Sequence, residues 1–122
     1  MGFRVELSHE AQADLTEIYD YIRRHGPADP DRWLSGLNQK FQSLEDFADW
    51  ASLAPEDESA REEIRQVMYG PFRILFVITG NDVDVVTVRH GARRFLTADQ
   101  IDDLTDKAAR QRKERSEESN EN

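Results

Sequence analysis

The chain has 122 residues, no cysteine, three histidines and a formal net charge of -9. That is one domain's worth of chain, long enough to bury a core without staples. The lack of thiols and the scattered placing of His9, His25 and His90 exclude disulfides and argue against a zinc site, while the net acidity opposes general affinity for nucleic acid.

Phe3, Val5 and Leu7 alternate with Arg4 and Glu6, the period of a short strand with one buried face. Ser8 caps a helix that carries Ala11, Leu15, Ile18, Tyr19 and Ile22 at helical spacing and stops at Gly26-Pro27. Asp29-Pro30 opens a second helix, with Trp33, Leu34, Leu37, Phe41, Leu44 and Phe47 as its apolar stripe. The two helices are close in sequence and should pair as an antiparallel hairpin. Residues 51–63 read as an acidic, solvated loop.

A second strand is expected from Ile64 to Tyr69, turned at Gly70-Pro71. Phe72 to Thr79 is apolar on both faces, which marks a central strand. Gly80-Asn81-Asp82 is a hairpin turn, and Val83 to His90 is the last strand. Thr97 and Gln100 form a capping box for a weak amphipathic helix through Ile101, Leu104 and Ala108. The end, from Gln111 on, is polar enough to fray. The fold class is therefore α+β: a β-α-α-β-β-β order, a helical hairpin packed on a mostly antiparallel four-stranded sheet, then a C-terminal helix and a frayed tail. No stretch approaches a membrane span and the start lacks an apolar leader, so a cytoplasmic protein is expected, with no metal and no cofactor.

The charge is unevenly spread. Between residues 64 and 96, Arg65, Arg73, Arg89, Arg93 and Arg94 face only Asp82 and Asp84, so a basic segment lies inside an acidic chain. These five arginines are the candidate target- or anion-binding residues. Arg73 is the most informative, because it interrupts an otherwise apolar strand and buried arginines are rare unless paired. Two readings stand: a stem lying on the sheet with its head in water, or a cation offered to a partner. Gly91 after His90 signals a reversal or a close approach at the strand end.

The stretches VELSHEAQADLTEIYDYI, PDRWLSGL and YGPFRILFVITGNDVDVVTVRHGARR, in this order, resemble the RelE/ParE superfamily of toxins from bacterial type II toxin–antitoxin modules. DLTEIYDYI and the HGARR ending look more like the ParE, or plasmid-stabilisation, branch. The resemblance covers about Phe3 to Arg94, so a toxin domain is expected over residues 1–96, followed by the helical extension over 97–115 and the disordered tail over 116–122 read from the residues themselves. It also implies a cognate antitoxin and one of two targets. ParE-like members poison DNA gyrase by binding, without being enzymes. RelE-like members cut messenger RNA on the ribosome.

RNA cleavage through the 2′-hydroxyl needs a base, an acid and cations for the phosphorane. The lysines that RelE-like enzymes use are missing, since no lysine lies between Lys40 and Lys107, and Phe95 has no hydroxyl to offer. A YoeB-like set of glutamate, arginine and histidine is available as Glu62 or Glu63, Arg73 and His90. The leading expectation is a gyrase-binding toxin, with an endoribonuclease using Glu63, Arg73 and His90 as the alternative.

The hairpin register decides whether Arg73 meets His90. A three-residue loop, Gly80 to Asp82, sets Arg73 opposite Arg89; a two-residue loop, Asn81-Asp82, sets it opposite His90. Like charges directly opposite cost roughly 0.2–1 kcal/mol, so the second register is expected. Leu75, Val77, Val86 and Val88 would then continue the Arg73–His90 face.

Overall fold

Alternation, capping and turn chemistry produce the expected elements in the expected order. The computed structural model describes residues 2–26 and 28–120. Strand β1 (Arg4–Leu7) leads into helix α1 (His9–His25), and α2 (Pro30–Phe47) follows. Ser8 caps α1 by accepting from the Ala11 amide at 3.0 Å, and Asp29 caps α2 through the Asp31 amide at 2.9 Å. α1 ends in a cap at Gly26; Pro27, read as part of the same stop, lies outside the described residues.

The sheet has five strands rather than four, in the order β1-β5-β4-β3-β2. The extra strand is β2 (Ser52–Leu53), a two-residue edge paired with β3 (Arg65–Tyr69). A segment that short has no readable alternation, so the acidic stretch gave no sign of it. β4 (Phe72–Thr79) is central, between β3 and β5 (Asp82–His90). β1 pairs with β5 in parallel, and every other pairing is antiparallel.

The β4–β5 register differs from expectation. Thr79 pairs with Asp82 around a tight Gly80-Asn81 turn, in which Gly80 takes φ +60°. A bulge follows: Phe76 pairs with Val85 but Leu75 with Thr87, so Val86 is the extra residue. The bulge moves the pairing by one position, setting Arg73 opposite Arg89 and Phe72 opposite His90.

Two cores flank the sheet. On one side Ile74, Phe76, Val83, Val85 and Val88 pack against Ala11 of α1 and Leu37, Phe41 and Leu44 of α2. Leu15, Ile18 and Trp33 are half-buried against this cluster, and Ile22 is buried. Phe47, expected in the α2 stripe, is exposed and stacks near the exposed Trp50 instead. On the other side Ile64, Leu75, Val77 and Val86 pack under Ile101 and Ala108 of α3 (Ala98–Asn120). Val88 thus belongs to the hairpin side, not with Leu75 and Val77 as expected.

The capping box forms: the Thr97 amide donates to Gln100 Oε1 at 2.9 Å, and the Gln100 amide to Thr97 Oγ1 at 3.2 Å. α3 then continues past Arg115 to Asn120, where fraying had been expected. Its second half is anchored rather than free. Arg112 and Arg115 both reach the buried Asp84 carboxylate on β5, and Gln111 accepts from the His9 amide at 2.9 Å and donates to Glu10 at 2.9 Å. Glu121 and Asn122 lie outside the described residues.

Candidate functional site

The basic segment converges where β4 begins and β5 ends, but its members meet different fates. Arg73 points to the α3 side, as do Leu75 and Val77 two and four positions along the strand. Its guanidinium grips Glu56 with two bonds, Nη2–Oε1 at 2.5 Å and Nη1–Oε2 at 3.1 Å, and its Nε donates to Gln66 Oε1 at 2.9 Å. The Phe95 ring lies 5.2 Å from the guanidinium carbon. Both members of the ion pair are buried. Arg73 is therefore neither a head in water nor a free cation.

Glu56 sits in a short 3-10 turn (Pro55–Glu58) inside the stretch read as a solvated acidic loop. It also accepts from the Leu96 amide at 3.0 Å, tying the chain after β5 to the loop before β3. Burial pushes its carboxyl up. The hydrogen bonds from Arg73 and Leu96 and the attraction of the guanidinium outweigh this, so the carboxyl titrates below its ordinary 4.5. The one signal that could have found Glu56 was the need of a buried Arg73 for a counter-charge.

Arg65 donates Nε to Glu63 at 3.0 Å and Nη1 to the Ala51 carbonyl at 2.5 Å, fastening the edge strand. Glu63 is exposed. In register, Arg65 faces Phe76 while Arg73 faces Met68, a separation of three positions or about 10 Å along the sheet. His90 lies on the hairpin side, its ring edge-on to Phe72 at 5.5 Å. Its Nδ1 accepts from the Ala92 amide at 3.0 Å. Glu63, Arg73 and His90 are thus not brought together, and the expected Arg73–His90 neighbourhood on one face does not form.

Gly91 makes the close approach read from the sequence. Its amide donates to the Pro71 carbonyl at 2.7 Å, and a Cβ there would stand 3.1 Å from that oxygen. Arg89, opposite Arg73, is buried; its Nη2 donates to the Arg94 carbonyl at 2.8 Å, and its Nε has no partner. Burial lowers its proton affinity, and repulsion from Arg93 and Arg73 adds to this. The Arg93 and Arg94 side chains are exposed.

Arg89, His90 and Arg93 line a cleft of about 440 Å³ beside α1, with Ile18, Tyr21 and Phe72 as its apolar wall. The cleft exists because β1 stops short: its pairing ends at Leu7↔Val85, so the outer edge of β5 beyond that point meets a helix, not a strand. Asp14 of α1 serves this edge, accepting from Thr87 Oγ1 at 2.6 Å and from the Val88 amide at 3.1 Å. Burial raises the Asp14 carboxyl above its ordinary 3.8; the two hydrogen bonds pull it back only in part, and Glu17 pushes it further up. Asp14 went unnoticed in the sequence, although it falls between Ala11 and Ile18 at helical spacing and so on the buried stripe. Among the described residues no group of three or more His, Asp or Glu side chains is placed to hold a metal, and no helix is long and apolar enough to cross a membrane.

The family model for the ParE toxin of the type II toxin–antitoxin system parDE matches residues 5–95. The chain belongs to this family. It is thus a type II toxin of the RelE/ParE superfamily, closer to its ParE branch. The fold is similar to that of a chain in the chromosomal ParDE system from P. aeruginosa, with TM-score 0.56 and 20% identity over 72% of this chain and 95% of that one. It is also similar to a chain of the toxin–antitoxin complex RelBE2 from Mycobacterium tuberculosis, with TM-score 0.50 and 17% identity over 74% of this chain and 99% of that one. No curated protein sequence matches significantly. The family match ends at residue 95, before α3 begins.

Proposed function

We propose that this ParE-family toxin acts by binding DNA gyrase rather than by cutting RNA, and that a cognate antitoxin holds it inactive in the cytoplasm. The observation that carries this reading is the dispersal of the nuclease candidates. Arg73 is saturated by Glu56 and Gln66, Glu63 is engaged by Arg65, and His90 lies on the other side of the sheet. A general base, a general acid and a phosphorane-stabilising cation must share one substrate-sized space, and these three do not. The sheet face that holds Arg73 is also covered by α3.

The binding reading draws instead on Arg89, Arg93 and Arg94, which remain at the open end of β5, while Arg65 and Arg73 serve the fold. The antitoxin is supported by the company of the similar folds, which come from a ParDE system and a RelBE2 toxin–antitoxin complex. The test is induced expression with two readouts. Gyrase poisoning yields cleaved DNA and filamentous cells while messenger RNA persists. Rapid loss of messenger RNA with intact DNA would overturn the proposal in favour of the endoribonuclease.

A further inference from the structure

Arg89 is 9% exposed and pairs with no carboxylate among the described residues. Its neighbours make this worse. Arg73 stands directly opposite in the sheet and Arg93 four residues on, and both repel it. Glu56 attracts it, but already accepts two bonds from Arg73 and one from the Leu96 amide. Asp14 is taken up by Thr87 and Val88. A buried cation that lacks an internal counter-ion costs several kcal/mol in general, and such a cost is recovered when an external anion arrives.

From this we infer that the cleft beside α1 is a receptor for an acidic side chain of a partner protein, whose carboxylate meets Arg89 and Arg93 while an adjacent large apolar side chain rests on Ile18, Tyr21 and Phe72. This rests on the reading of the sheet-end arginines as binding residues, and names what they bind. Two features select a protein carboxylate over a nucleic-acid phosphate. Asp14 and Glu17 line the same cleft as Arg89 and Arg93, so it suits one negative charge better than the several that a phosphate backbone brings. The chain's net charge of -9 repels a polyanion at long range. The apolar wall adds the second requirement: Phe72 is half-buried there, its ring met by Trp33 and His90, and Tyr21 stands beside it in the open. Tyr21 is 65% exposed.

The test uses the full chain, labelled with ¹⁵N, and three probes: N-acetylphenylalanine, its uncharged amide, and inorganic phosphate. The expected result is saturable movement of the Arg89 Nε–H signal and of the Val88 and His90 amides with N-acetylphenylalanine. The amide should bind at least tenfold more weakly, and phosphate should not saturate. Arg93→Gln, at an exposed position, should weaken the carboxylate probe several-fold and leave the rest of the spectrum in place. Phosphate binding as tight as the carboxylate would overturn the inference in favour of nucleic acid, and so would saturable shifts confined to residues away from the cleft. Absence of any saturable response in the millimolar range would also overturn it. The titration reads the cleft without gyrase, so it can fail while DNA cleavage in cells succeeds, and the reverse.

Discussion

Arg73 and Glu56 form a two-pronged ion pair between the central strand and a loop seventeen positions earlier, with both side chains shut off from water. This pair allows Arg73 to stand opposite Arg89, since the like-charge penalty of roughly 0.2–1 kcal/mol is small beside a buried, charge-assisted pair. It also binds three segments at once, because the same carboxylate holds the Leu96 amide. Removing one partner strands a buried charge. Glu56→Ala should therefore destabilise the protein by roughly 3–5 kcal/mol, measured by urea unfolding. The double variant Glu56→Leu/Arg73→Met should recover most of that loss. Equal destabilisation in both would show that the pair matters for something other than charge balance.

Acid should act through the same carboxylate. Glu56 titrates below 4.5 in the folded protein, so the unfolded state binds its proton first on acidification. Its contribution is complete above the unfolded value and is lost as the pH falls through the lower, folded one. Asp14 has the opposite sign. Its carboxyl is raised above 3.8, so the wild type should lose stability relative to Asp14→Asn as the pH rises past that value. The asparagine oxygen can still accept from Thr87 and Val88. Unfolding free energies of the two proteins across pH 3 to 7 give the comparison, and parallel curves would refute the Asp14 assignment.

α3 is expected to be integral to stability although it lies beyond the residues that the family model matches. Ile101 is fully buried on Ile64, Leu75, Val77 and Val86. Ile101→Ala should cost about 2–5 kcal/mol. A chain ending at Phe95 should bind a hydrophobic dye and aggregate, because that sheet face would be bare. A soluble, cooperatively folding truncation would show that α3 is dispensable.

The far half of α3 depends on Asp84, which sits nearly buried between Arg112 and Arg115. Asp84→Ala should remove roughly 1.5–3 kcal/mol of local stability. Amide exchange from about Arg110 to Asn120 should then quicken about ten- to a hundredfold, with the β4 and β5 amides little changed. Unchanged exchange in that half would mean that Gln111 and its partners suffice.

His90→Gln separates chemistry from binding. Glutamine keeps a polar side chain of similar length at this position, where His90 Nδ1 now accepts from the Ala92 amide, but it cannot transfer protons. Toxicity in an induced-growth assay should persist within a few-fold. Complete loss, with folding intact, would return catalysis to the leading position.

The local code of the chain was enough for most of the framework. Ser8, Asp29 and Thr97 capped the helices they were read to cap, because a cap involves only residues two or three apart. Phe72–Thr79 was legible as the central strand because only a strand covered on both faces is apolar on both. The register was not legible. It turns on a Gly80-Asn81 loop and a bulge at Val86 that alternation does not announce: without the extra residue Arg73 would face Val88, and with it Arg73 faces Arg89 rather than the expected His90. Glu56 and Asp14 were hidden for a related reason. A carboxylate's burial is decided by which cation or amide the fold brings to it, and those partners lie 17, 40, 73 and 74 positions away. The sequence alone determined which elements form and that cations gather at the end of the last strand. Only the tertiary structure decided which of those cations is neutralised inside, and that Arg89 is left without a carboxylate partner among the described residues.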